Sequence, residues 1–183
     1  AAPPESSDMD VGALEELYAI HRMFGNGRAD VSEVYSQPRV TREASYMGLR
    51  PGTAFDLTTV DEHGVAWDFS RAERRKAAWD RLAVEQPYLL VGSPMRTAYS
   101  ALQARSVGKR DEEEVRRMMV QANLHLEFCI ALYRRQLECG RYFLHEHPHS
   151  ARSWRYPGMV ALAAEPGVLR LMGHLCAHGV VSR

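Results

Sequence analysis

Apolar residues recur at helical spacing in three stretches of the chain. Leu14, Leu17, Tyr18, His21 and Phe24 form a short amphipathic stripe that Gly25-Asn26-Gly27 stops, which predicts an N-terminal helix behind a flexible polar leader over residues 1–10. Ala77, Ala78, Leu82 and Ala83 mark a second helix, opened by the capping-box spacing Ser70-Arg71-Ala72-Glu73 and ended by Pro87. The longest stripe predicts a helix from about Asp111 to Cys139. It runs through Val115, Met118, Met119, Ala122, Leu126, Cys129, Ile130, Tyr133 and Leu137, with Gly140 as its stop.

Between these helices the pattern changes. Val31-Ser32-Glu33-Val34-Tyr35 alternates and predicts a strand, which Gln37-Pro38-Arg39 ends before a helical stretch from about Thr41 to Met47. Gly48 to Gly52 predicts a turn, and Thr53 to Leu57 a second strand with Asp56 near its carboxyl end. Tyr88-Leu89-Leu90-Val91-Gly92 is a continuous apolar run of the kind buried on both faces of a parallel sheet, and Arg141 to His145 reads as a further strand.

Strands alternating with helices at this pitch predict an α/β fold with a doubly wound, mostly parallel sheet in one domain over residues 11–183. Ligands of such sheets bind at the carboxyl ends of the strands, so the loops beginning near Tyr35, Asp56, Gly92 and His145 are expected to share one edge.

Charge and composition narrow the partners. The 23 basic and 23 acidic residues cancel, which argues against a basic coat that would bind nucleic acid without specificity. Arg71, Arg74, Arg75 and Lys76, and the pairs Arg116-Arg117 and Arg134-Arg135, read as solvated helix faces near acidic neighbours such as Asp111 to Glu114. Trp67, Trp79 and Trp154 read as core or interface residues. Three cysteines, Cys129, Cys139 and Cys176, at irregular spacing do not make a disulfide framework and favour a reducing, intracellular compartment, cytoplasm or nucleus. No apolar run approaches the roughly 20 residues that span a bilayer. The Pro/Ser-rich opening without an initiating Met suggests a piece of a longer polypeptide.

The unusual residues lie in the strand-end loops. They are Glu33-Val34-Tyr35-Ser36-Gln37-Pro38-Arg39, Phe55-Asp56-Leu57, Trp67-Asp68-Phe69, the run from Val91 through Ser93, Pro94 and Arg96 to Ser100, and Phe143-Leu144-His145-Glu146-His147-Pro148. In this order, over about residues 31–150, the set resembles the DNA (cytosine-5) methyltransferases, and also the methyltransferase-like segments of protist retroelement-type polyproteins. The resemblance implies a Rossmann-like methyltransferase sheet and S-adenosylmethionine as cofactor. Tyr35 and Ser36 would then belong to the first cofactor loop, Asp56 would accept from the ribose hydroxyls, Asp68 from the adenine amino group, and Ser93 would lie in the fourth loop. Pro94, Arg96 and Glu146 fall on the catalytic positions, where Glu146 would hydrogen-bond a flipped-out cytosine.

Two departures qualify what the resemblance implies. Arg96 stands where the family has its cysteine nucleophile, and a guanidinium that stays protonated cannot attack a base. Gln37, Pro38 and Arg39 replace the glycines that let backbone approach the cofactor. The expectation is a degenerate domain without methyl-transfer chemistry, serving as a binding or structural module for nucleic acid or another protein. The alternatives are an active S-adenosylmethionine-dependent methyltransferase on nucleic acid and a zinc-stabilised interaction domain. The last comes from the alternation of His145, His147 and His149 and of His174, Cys176 and His178, which could aim His145, His147, His174 and Cys176 at one zinc ion. That spacing matches no established zinc pattern, and half-buried histidines holding no metal are the simpler expectation.

Overall fold

A computed structural model describes residues 28–95, Tyr99 and 111–173. The predicted N-terminal helix lies outside the described residues. Four short strands, β1 (Val31–Val34), β2 (Pro51–Phe55), β3 (Leu89–Gly92) and β4 (Tyr142–His145), form one sheet in the order β2-β1-β3-β4, with every pairing parallel. The helices between them are α1 (Val40–Tyr46), α2 (Ala72–Glu85) and α3 (Glu112–Glu138); a 3-10 turn (Arg152–Arg155) and α4 (Pro157–Ala163) follow β4.

Strand alternation explains the layers. Val31 of β1 and Val91 of β3 face α1 and pack on its Ala44, whereas Val34, Phe55 and Leu90 face the opposite side. There they meet Ala78 and Leu82 of α2, the apolar stripe of α3 and Met159 and Leu162 of α4. Full burial of Val34, Phe55 and Leu90 contributes about 1.5–3 kcal/mol each. The α3 side chains come so close to the sheet that a Cβ on Gly92 would sit 1.8 Å from the Tyr133 hydroxyl. Only glycine fits at the end of β3.

The helix ends follow local chemistry with one exception. Asp111 caps α3 by accepting from the Glu113 amide, and Gly140, at φ 66°, lets the chain leave it. The capping box predicted at α2 does not form. Arg71 is the N-cap, Glu73 pairs with Arg71, and the Ser70 hydroxyl donates to Asp68 instead. The second strand starts at Pro51, earlier than the alternation suggested, because the edge position of β2 tolerates a residue with no N–H to donate. Asp56 therefore lies just beyond the strand. The basic start of α2 is also not a solvated face throughout. Arg74 is buried against Asp61, and Arg75 donates to the carbonyls of Phe69 and Ser70. No helix among the described residues is long and apolar enough to cross a membrane.

Candidate functional site

The strand order reverses direction between β1 and β3, and a cleft of about 470 Å³ opens there at the carboxyl ends of the strands. Tyr35 follows β1, Asp56 follows β2, Trp67, Asp68 and Phe69 precede α2, Ser93 and Met95 follow β3, and α3 contributes Gln121 and His125. Of the residues expected at a cofactor site, Tyr35, Asp56, Asp68 and Ser93 thus share one cavity.

The two aspartates make the same bonds. Asp56 accepts the Thr58 amide at 2.9 Å and the Thr58 hydroxyl at 2.7 Å, both on Oδ1. Asp68 accepts the Ser70 amide at 3.0 Å and the Ser70 hydroxyl at 2.7 Å, again on Oδ1. Each carboxylate shapes its own turn through one oxygen and has no partner on Oδ2 among the described residues. The Ser70 bonds hold the Asp68 carboxyl below its ordinary range, helped by the charge of Arg71. Between the aspartates, Trp67 is buried, packed edge-on to Phe55 at 4.7 Å and covered by the Arg74 guanidinium at 4.3 Å. Its indole Nε1 is sealed from solvent without a partner among the described residues.

Tyr35 turns the chain at the end of β1 with φ 58°, a left-handed conformation that costs an aromatic residue about 1–3 kcal/mol. Its amide donates to the Phe55 carbonyl at 2.8 Å, its ring lies edge-on to Phe69 and His125, and its hydroxyl meets His125 Nδ1 at 2.9 Å. Burial raises the Tyr35 hydroxyl far above the ordinary tyrosine range, so it stays protonated. Burial also lowers His125, assisted by Arg75 and opposed by Asp68, so the imidazole is neutral near pH 7. His125 was not among the residues the sequence singled out. Its signal was a polar ring on the inward stripe of the long helix, between Ala122 and Leu126.

Ser36 has a different task. Its hydroxyl donates to Glu33 Oε2 at 2.7 Å, and Glu33 Oε1 accepts from the Arg39 amide, the Thr41 amide and the Thr41 hydroxyl. Glu33 is fully buried, so this carboxylate closes the first loop onto α1. The amides of Arg39 and Thr41 are thereby engaged within the protein.

The residues expected to be catalytic divide as well. Glu146 is exposed just beyond β4 and accepts the Ser93 hydroxyl at 3.0 Å, which brings the loops after β3 and β4 together. Pro94 is buried, and its carbonyl accepts from His147 Nε2 at 2.7 Å. Arg96 lies outside the described residues. Of the described cysteines, Cys129 is sealed in the core, where burial pushes its thiol up to about 12, and Cys139 is the exposed C-cap of α3. Neither lines the cleft.

For the zinc arrangement, both ring nitrogens of His147 are engaged: Nε2–H donates to Pro94 and Nδ1 meets the Ser153 hydroxyl at 2.6 Å. His145 Nδ1 meets the Tyr133 hydroxyl at 3.1 Å, and its Nε2 is sealed without a partner among the described residues. Burial, with the neighbouring His147, drops His145 to about 3. No cluster of three or more metal-binding side chains occurs among the described residues, and His174 and Cys176 lie outside them. No protein-family model, curated protein or solved structure matches the chain.

Proposed function

We propose that the cleft binds a nucleoside of the S-adenosylmethionine type, and that the protein is a Rossmann-like, methyltransferase-related binding module without cytosine-5 methyl-transfer chemistry. The observation that carries this reading is that Asp56 and Asp68, each with an Oδ2 that has no partner among the described residues, line one aromatic-walled cavity at the reversal point of the sheet. Hydroxyl and amino groups are donors that such oxygens accept, and Trp67, Phe69, Leu57 and Met95 offer apolar wall for a base. Two carboxylates disfavour phosphates, which selects nucleosides over nucleotides.

The fit has limits that define the module. Bound S-adenosylmethionine would supply an electrophilic methyl group. The two described cysteines cannot receive it from the cleft, Arg96 takes the place of the expected nucleophile, and Glu33 keeps the Arg39 and Thr41 amides from a ligand. Binding and orientation are what these residues support. Calorimetry of the 183-residue chain with S-adenosylhomocysteine is expected to give a dissociation constant below about 1 mM, weakened about tenfold or more by Asp56→Ala. Absence of heat at millimolar ligand overturns the proposal. Methyl transfer to cytosine-containing DNA restores the active-enzyme alternative.

A further inference from the structure

The cleft contains a Tyr–His pair beside its carboxylates. His125 is buried to nine-tenths, with 8% exposure, yet it lines the cavity. Its Nδ1 is occupied by the Tyr35 hydroxyl. Among the described residues its Nε2 has no hydrogen-bond partner, and it is not among the polar atoms sealed from solvent. A tyrosine hydroxyl is the stronger donor of the pair, and when it donates to Nδ1 the ring hydrogen resides on Nε2. The strained backbone of Tyr35, fixed by its amide bond to Phe55 and by the rings of Phe69 and His125, sets where that hydroxyl stands.

We propose that His125, oriented by Tyr35, is a ligand-contacting donor of this cleft, so that the site reads two donor groups through Asp56 and Asp68 and one acceptor atom through His125 Nε2. This inference rests on the nucleoside-binding reading above and specifies its selectivity. A purine base fits the pattern, because it carries ring-nitrogen acceptors beside an amino donor. Tyr35 is the positioning residue: without its hydroxyl, the imidazole can place its hydrogen on either nitrogen.

The test uses the whole chain and S-adenosylhomocysteine. His125→Leu is expected to weaken binding about tenfold, while His125→Gln, whose amide carries a donor near the Nε2 position, recovers most of that loss. Tyr35→Phe is expected to weaken binding severalfold, and nitrogen NMR of the imidazole should show a single tautomer in the wild type and a mixture in the variant. If the wild type binds but His125→Leu binds as tightly, the inference is wrong and the nucleoside site stands. If the wild type binds no S-adenosylhomocysteine, both are overturned together.

Discussion

The loop after β1 and the loop after β2 leave the same edge of the sheet, and both are organised by carboxylates. Glu33 is fully buried and accepts four hydrogen bonds, from Ser36, Arg39 and twice from Thr41. Asp56 and Asp68 line the cleft and each accept two on a single oxygen, the other oxygen having no partner among the described residues. One residue type thus does two jobs. A buried carboxylate bonded on both oxygens is scaffold, and it removes the backbone donors it engages from the ligand's reach. A carboxylate with an oxygen left over on a cavity is a candidate contact.

The largest effect is expected at Glu33. Glu33→Ala leaves the Thr41 amide and hydroxyl without an acceptor in a buried position, at roughly 1–3 kcal/mol each. The expected loss of stability is about 3–5 kcal/mol by denaturant titration. If Glu33→Ala unfolds at the wild-type midpoint, Glu33 does not lock the first loop, and its contrast with Asp56 and Asp68 disappears.

How much of this was legible in the sequence follows from what each element rests on. Apolar periodicity is a local property, so the parallel α/β order, the buried run at Leu89–Gly92 and the span of the long helix were readable from it. Register and caps depend on neighbours. Whether Ser70 caps α2 is decided by a competing acceptor, the carboxylate of Asp68 two residues back. Arg74 read as a surface charge because nothing in its own helix shows that Asp61, thirteen residues away, turns back to meet it. Asp56 and Asp68 were visible as strand-end carboxylates, but the division of each into a used and a spare oxygen is geometric. His125 was hidden because a histidine in an apolar stripe is silent about which nitrogen faces outward.

A smaller effect is expected within the second loop. Its tip is fixed by Arg74, which donates to Asp61 Oδ2 at 2.7 Å and to the Val65 carbonyl at 2.9 Å. Asp61 is lowered to about 2, first by the Val65 amide and then by Arg74. A folded value beneath the unfolded value near 3.9 contributes stability that is complete above about pH 4 and lost as pH falls through about 2. Arg74→Met is therefore expected to melt below the wild type at pH 7, by less than Glu33→Ala does, with the gap closing toward about pH 2. A gap that stays constant down to that pH would show that Arg74 acts only by packing on Trp67.

The smallest effect on stability belongs to Asp68→Asn, and its smallness is what makes it informative. The asparagine carbonyl can still accept the Ser70 amide and hydroxyl, so the turn survives and the folded state should change by no more than about 0.5 kcal/mol. The spare oxygen, however, becomes an NH₂ group, which donates where Asp68 accepts and carries no charge. S-adenosylhomocysteine should then bind about tenfold more weakly to a protein that melts like the wild type. Because Asp68 also raises the His125 imidazole, its loss should lower the histidine's titration further, visible in the same NMR spectra. A variant that loses stability but keeps its affinity would reverse the assignment and place Asp68 with Glu33 as scaffold.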